Sequence, residues 1–135
     1  MKPTTVIALD VGLKRTGAAV ANASSAVAQP CGVIGMRRGR PDWRLLDQLI
    51  AKWQPDEILI GDPNTDAPEL NKAINRIIAY VQGTHKLPVK RCDEAYTTDA
   101  ANAEMASQKL THAKKVELRD QIAACLMLEA YLSSL

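Results

Sequence analysis

Three acidic residues far apart in the chain, Asp10, Glu94 and Asp120, occupy positions from which carboxylates could act together. Asp10 ends an apolar run and precedes a turn that carries Lys14 and Arg15. Grouped carboxylates repel one another unless cations lie between them, and all-oxygen ligands favour hard cations such as Mg²⁺ or Mn²⁺. Two such ions catalyse in-line phosphoryl displacement. We therefore expect a two-ion site in which Asp10 bridges the ions and Glu94 and Asp120 flank them.

The position of Asp120 on a predicted helix supports this grouping. At 100° per residue, Asp120 heads an apolar stripe that includes Ala123, Ala124, Met127, Leu128 and Tyr131. A carboxylate on an inward-facing stripe needs a compensating partner. A capping role near the start of the helix remains the alternative, because acidic residues favour the first turn.

The segment around Asp10 reads as a hairpin. Val6-Ile7-Ala8-Leu9 fits a strand buried on both faces, and a second apolar run follows Gly17. The spacing of Gly12 and Gly17 resembles a P-loop, but alanines stand where that motif needs Lys and Ser or Thr. An ordinary hairpin with solvated charges in its turn remains an alternative for this segment alone.

The elements that must position these residues follow from the apolar periodicity. After the hairpin the pattern predicts a strand at 26–36, a helix from 42 to 53, a strand at 57–60, a helix from 68 with Gly83 as its C-cap, a strand at 87–92, a helix at 97–110 and a last helix at 116–132. This order predicts an α/β fold with a mixed five-stranded sheet and helices on both faces. Strands one, four and five then share the carboxyl edge, where Asp10, Asp62, Asp93 and Glu94 stand.

Composition bounds the class of protein. The 135 residues, 47% hydrophobic and 24% charged, predict one globular domain spanning residues 1–135. With no signal-peptide pattern and no membrane-spanning stretch, we expect a cytosolic protein that does not bind a membrane. Three scattered cysteines argue against a disulfide framework or a zinc cluster, and we expect them to be reduced core residues.

The net charge of only +2 is too small to indicate a nucleic-acid partner by itself. The cations nevertheless cluster along the chain, at Arg37, Arg38 and Arg40, at Lys86, Lys90 and Arg91, and at Lys109, Lys114, Lys115 and Arg119. Such runs are usually solvated faces, and they gain meaning only if the fold gathers them on one side. We expect Lys14, Arg15, Lys114, Lys115 and Arg119 to flank the acidic site and to contact nucleic acid.

With these motifs, the chain resembles the YqgF/RuvX family of the ribonuclease H-like superfamily, whose members are also called Holliday junction resolvases. The matching stretches are ALDVGLKRTGAAVA at 8–21, Gln29-Pro30, ILIGDPN at 58–64, Pro88-Val89, DEAYTTDAA at 93–101 and DQIAACLMLEAYL at 120–132. They span the whole chain and together they are specific. The resemblance implies the sheet order 3-2-1-4-5 with strand two antiparallel.

The resemblance places Asp10, Glu94 and Asp120 on the family's catalytic acids. It implies a nuclease that matures the 5′ end of pre-16S ribosomal RNA. Two positions depart from the family pattern. Ala95 stands where the family usually has Arg, and Asp62 replaces an apolar residue in the turn after strand four. Asp62 and Asp93 are possible additional metal ligands, although a turn-capping role for Asp62 is the simpler interpretation.

Three other functions remain open from the sequence. A resolvase of branched DNA would use the same chemistry, with two sites brought together by a dimer. Sugar kinases and actin-like ATPases share a similar Asp-x-Gly hairpin but need two such domains around a nucleotide. A catalytically weak RNA-binding assembly factor would accord with Ala95. The expected partner is structured RNA, with branched DNA possible, and the protein is expected to be a monomer or a homodimer.

Overall fold

The computed structural model describes residues 4–25, 27–62, 66–93 and 112–135, with side chains from 4 to 25, 27 to 62, 66 to 92 and 118 to 135. The strands are β1 (Thr5–Val11), β2 (Arg15–Asn22), β3 (Gln29–Arg37), β4 (Arg40–Pro41), β5 (Glu57–Asp62) and β6 (Val89–Asp93). The helices are α1 (Trp43–Trp53), α2 (Pro68–Thr84) and α3 (His112–Ser133). The helix predicted at 97–110 lies outside the described residues.

The strands form one mixed sheet in the order β4-β3-β2-β1-β5-β6. β1, β2 and β3 form an antiparallel meander, whereas β5 pairs parallel to β1 and β6 pairs parallel to β5. The α/β class, the antiparallel second strand and the predicted order of the five main strands are therefore confirmed. The strand count is corrected to six, because Arg38 and Gly39 turn the chain back and let β4 pair with the end of β3.

Helices cover both faces of the sheet, and strand alternation decides which residues they meet. On one face, Ile7, Leu9 and Ile60 pack in a cluster with residues of α1 and α2. On the other face, Val6, Ala8 and Leu59 pack in a cluster with five buried residues of α3, Ala124, Cys125, Met127, Leu128 and Leu132. The sheet is therefore a central layer, and α3 alone supplies the described part of one outer layer.

The helix ends depart from the predicted boundaries for local reasons. α1 begins after Asp42, whose side chain accepts hydrogen bonds from the backbone N–H groups of Arg44 and Leu45. α2 continues past Gly83, because the backbone N–H of His85 still donates to the carbonyl of Val81 at 3.1 Å. Among the described helices, none has an apolar stretch long enough to cross a bilayer.

Candidate active site

Asp10 lies near the C-terminal end of β1, on the face of the sheet that α3 covers. Asp10 follows Ala8 by two residues, and Ala8 packs against α3, so strand alternation directs both side chains to the same face. In the hairpin, Asp10 lies directly opposite Gly17 of β2. A second acidic group that approaches Asp10 must therefore lie on this face of the sheet, next to Asp10 and Gly17.

Asp120 of α3 occupies that space. A Cβ added at Gly17 would overlap the backbone carbonyl of Asp120 and would lie 2.8 Å from its Cβ. Directly opposed residues in a sheet have Cβ atoms about 5 Å apart, so the Cβ atoms of Asp10 and Asp120 lie within about 8 Å of each other. The absence of a side chain at Gly17 thus lets α3 approach the sheet and brings two of the three predicted acids together.

Two arginines accompany the Asp120 carboxylate. Arg15 donates from Nε to Oδ2 at 3.0 Å, and Nη2 of Arg119 lies 3.8 Å from Oδ1. The Asp120 side chain is 16% exposed, and that of Arg15 is 32% exposed. These cations offset the repulsion that two neighbouring carboxylates would otherwise experience. They also hold the Asp120 carboxylate in one orientation beside β2.

The helix boundary decides between the two sequence interpretations of Asp120. α3 begins at His112, two turns before Asp120, so this residue is not in the first turn. Ala124, Met127 and Leu128 on the same stripe are buried against the sheet. The capping alternative is therefore wrong, and Asp120 lies at the inward-facing position that its periodicity predicts.

An open cleft of about 360 Å³ adjoins Asp120 and its two arginines. It is lined by the β1–β2 turn, the start of α2 and the charged turn of α3, through Gly12, Leu13, Lys14, Arg15, Leu70, Arg119 and Asp120. Lys14 is exposed in that turn. An entering phosphate group would therefore meet the cations Lys14, Arg15 and Arg119 together with the Asp120 carboxylate.

Asp62 reaches the same edge of the sheet but lies on its opposite face. Ile58 and Ile60 of β5 pack against α1 and α2, and alternation places the Asp62 side chain with them. There Oδ2 of Asp62 is 4.0 Å from Nη1 of Arg91, and Nη2 of Arg91 donates to Asn75 of α2. The structure therefore does not bring Asp62 together with Asp10.

Four further predicted site residues have side chains outside the described set. The backbone of Asp93 pairs with Asp62 in the β5–β6 register, which places it at the carboxyl edge. Nothing is described of the side chains of Asp93, Glu94, Lys114 or Lys115. Within the described side chains, no group of three His, Cys, Asp or Glu residues is arranged to hold a metal ion. The described part of the site therefore consists of two carboxylates and their cations.

Gly17 is a position whose role in the site the sequence analysis does not predict, because its spacing from Gly12 is compared only with a P-loop. A signal was present, since a glycine inside a strand marks a bulge or the close approach of another backbone. Here the approaching backbone is that of α3, beginning at Asp120.

Two of the three cysteines are unsuited to nucleophilic chemistry. Burial raises the pKa of the Cys31 thiol to about 12, and it raises that of Cys125 to about 11. Both thiols are therefore protonated at neutral pH and lack the thiolate that nucleophilic catalysis requires.

The amino-acid sequence is similar to a known protein family and to named bacterial proteins. A family profile described as RuvX, Holliday junction resolvase, matches residues 4–134. A relative from Haemophilus ducreyi, named "Putative pre-16S rRNA nuclease", is 34% identical over 131 residues, covering 95% of each chain. A relative of the same name from Escherichia coli is 33% identical over 130 residues, covering 94% of each chain.

Two solved structures share the fold. RuvC of T. thermophilus, in complex with a Holliday junction substrate, has a TM-score of 0.58 at 12% identity and covers 97% of this chain and 94% of its own. The Fowlpox virus Holliday junction resolvase has a TM-score of 0.62 at 16% identity, covering 98% of this chain and 100% of its own. At these identities the similarity shows the fold alone.

Proposed function

Because the chain belongs to the RuvX family of Holliday junction resolvases, we propose that it is a single-domain, metal-dependent nuclease that hydrolyses phosphodiester bonds. The observation that carries this proposal is the packing of Asp120 on Gly17, which lies directly opposite Asp10 at the carboxyl edge of the sheet. Two acidic residues on one face, next to a cleft lined by Lys14, Arg15 and Arg119, suit phosphate chemistry better than any other group of described residues.

The donor chemistry fits a hard divalent cation. Asp10 and Asp120 offer only oxygen ligands, and hard cations such as Mg²⁺ and Mn²⁺ prefer such ligands. In the proposal, Glu94, which follows β6 in the sequence, would complete the set of carboxylate ligands with Asp10 and Asp120. When bound, two such ions would supply an activated water and neutralise the leaving oxygen of the phosphodiester.

The residues of the chain itself then have separate tasks. Arg15 orients the Asp120 carboxylate through its 3.0 Å hydrogen bond, and Lys14, exposed in the neighbouring turn, attracts the phosphate backbone. Arg119, Lys114 and Lys115 extend the positive charge along α3 in this proposal. Asp62 has no part in it, because its side chain lies on the other face of the sheet.

The proposed substrate is structured RNA, with the precursor of 16S ribosomal RNA favoured and the cytoplasm as the place of action. The names of relatives that align with 94–95% of this chain support this choice. Branched DNA is the second candidate, supported by the family description and by the structural neighbour bound to a Holliday junction. Both candidates need the same carboxylates, so the chemistry of the site does not depend on the choice.

The test offers both substrates to the purified protein. End-labelled pre-16S leader RNA and a four-way DNA junction are incubated with Mn²⁺, with Mg²⁺ or with EDTA. We expect metal-dependent cleavage of the RNA at defined positions. Symmetric nicking of the junction instead would select the resolvase. Binding of RNA with no cleavage under any of these conditions would contradict the nuclease and favour an assembly factor.

A further inference from the structure

The hairpin formed by β3 and β4 projects three arginines beside the candidate active site. Arg37, Arg38 and Arg40 are all exposed. The end of β3 lies beside the β1–β2 turn. Gly35 pairs with Arg15, and the backbone N–H of Met36 donates to the carbonyl of Lys14 at 3.1 Å. The fold thus places Arg37, Arg38 and Arg40 at the same end of the sheet as Lys14 and Arg15.

The hairpin is built to hold this position. Its two-residue turn, Arg38-Gly39, has φ angles of 54° and 72°, the left-handed values of a type I′ turn. Nη1 of Arg76, on α2, donates to the carbonyl of Gly39 at 3.1 Å and fastens the tip to the body of the protein. The exposed arginines are therefore carried on a fixed arm and not on a loose loop.

The arrangement of charge on the arm is unfavourable for folding alone. Arg37 and Arg40 lie directly opposite each other in the β3–β4 pair, and like charges at opposed positions destabilise a sheet. Across the described side chains, no acid forms an ion pair with either of them. Asp42, the acid that lines the adjoining cleft of about 580 Å³, is occupied by capping α1. Such a cluster is suited to an anionic partner.

We propose that the β3–β4 hairpin is a second phosphate-binding surface, which grips the nucleic-acid backbone beside the phosphate that is cleaved. The proposal rests on the proposed function and extends it from the reacting phosphate to its neighbours. β3 is two strands away from β1, which is about 10 Å at the usual strand spacing. One duplex spans that distance in roughly three base pairs, at about 3.4 Å each, so a single nucleic acid reaches both surfaces.

The variant Arg37→Gln/Arg40→Gln tests the surface without touching the acids. Affinity for a labelled hairpin RNA, and for a DNA duplex of the same sequence, is measured by fluorescence anisotropy in EDTA over a range of KCl concentrations. Loss of two phosphate contacts should flatten the slope of log affinity against log salt by about 1.8 on the duplex. The variant Arg37→Lys/Arg40→Lys keeps the charge and should restore the slope.

A matched control removes the same charge from the opposite end of the sheet. Lys52 lies in the last turn of α1 and Lys86 precedes β6, both are exposed, and Asn at position 86 suits its φ of 56°. Lys52→Gln/Lys86→Asn should leave the slope unchanged. Thermal melting should show the Gln variant to be at least as stable as the wild type, because removing opposed like charges relieves repulsion.

The outcomes separate this proposal from the nuclease proposal. If the Gln variant had the wild-type slope, or if the control slope flattened equally, the proposal of a second surface would be overturned. The nuclease proposal would not be affected. Metal-independent binding that depends on Arg37 and Arg40, together with no cleavage by the wild type, would overturn the nuclease and keep the surface. No binding by the wild type would overturn the second surface, while the cleavage assay in Mn²⁺ tests the nuclease separately.

Discussion

At the scale of single residues, Asp120 is the acid whose surroundings the structure describes most fully. Its carboxylate lies on the inward stripe of α3 and is held by Arg15 at 3.0 Å. The inward position could be predicted from the sequence, because it follows from helical periodicity. The pairing with Arg15 could not, because the two residues are 105 positions apart and meet only when α3 packs on β2.

The variant Asp120→Asn should therefore lose cleavage while changing the free energy of unfolding in EDTA by no more than about 1 kcal/mol. The lost ion pair is partly exposed and contributes about 0–1 kcal/mol, and the substitution also removes a charge near Asp10. Urea unfolding in EDTA and a cleavage assay measure the two effects. Glu129→Gln, on the same helix, is the control that should keep activity. A loss of several kcal/mol with cleavage intact would show that Asp120 is structural.

A second residue-scale prediction concerns Asp47, where Tyr80 of α2 and His85 meet α1. The Tyr80 hydroxyl donates to Asp47 Oδ1 at 2.6 Å, and His85 Nε2 lies 2.8 Å from the same atom. The hydrogen bond from Tyr80, followed by that from His85, lowers the pKa of Asp47 below its ordinary value of 3.8. Stability from this carboxylate is therefore present above pH 3.8 and is lost as pH falls through the lower, folded-state pKa.

Tyr80→Phe should reduce the free energy of unfolding at neutral pH by about 1 kcal/mol, the net contribution of a hydrogen bond. The difference from the wild type should shrink as pH falls below the ordinary pKa of Asp47, because the charged acceptor is then being lost. Urea unfolding at a series of pH values measures it. A difference that stays constant down to acidic pH would contradict a role for the Asp47 charge, because Tyr80→Phe removes only the hydroxyl and keeps the ring that packs on Trp43, whose centroid is 4.3 Å away.

At the scale of elements, the contact between β2 and α3 forms the site. The strand and helix types could be predicted, because alternation in the strands and apolar stripes on the helices are local patterns. The two-residue strand β4 was missed, because Arg40-Pro41 is too short for any period and forms only through pairing with Met36 and Arg37. The close approach at Gly17 depends on tertiary packing, and local pattern does not reveal which backbone comes near.

Gly17→Ala should separate α3 from the sheet. The added Cβ would overlap the backbone of Asp120, which has no flexible end to move aside, and such overpacking costs about 1–3 kcal/mol. We expect a lower melting temperature and lower activity together. Gly35→Ala is the matched control, since Gly35 pairs with Arg15 on the neighbouring strand and a Cβ there meets nothing within 4 Å. Equal effects of the two substitutions would refute the close-approach interpretation.

At the scale of the whole molecule, the fold sorts charges that the sequence leaves scattered. Asp10 and Asp62 both stand at the carboxyl edge, as the predicted strand order requires, yet they lie on opposite faces. The sheet edge at which a residue lies follows from the strand topology. The face to which its side chain points depends on the strand register, and a shift of one residue reverses that face. The same sorting brings the arginines of the β3–β4 hairpin beside Lys14 and leaves Lys52 and Lys86 at the far end of the sheet.

The difference between the two faces gives the most direct test of the central claim, which is that Asp10 and Asp120 act together on a phosphodiester. Cleavage of labelled pre-16S leader RNA in Mn²⁺ is measured for the wild type, Asp10→Asn and Asp62→Asn. Loss of even a second-sphere partner of a metal costs about 10–100-fold, so Asp10→Asn should lower the rate by at least about 100-fold. Asp62→Asn should cleave at the rate of the wild type. Equal activity of Asp10→Asn and the wild type, or loss of activity in Asp62→Asn alone, would contradict the account.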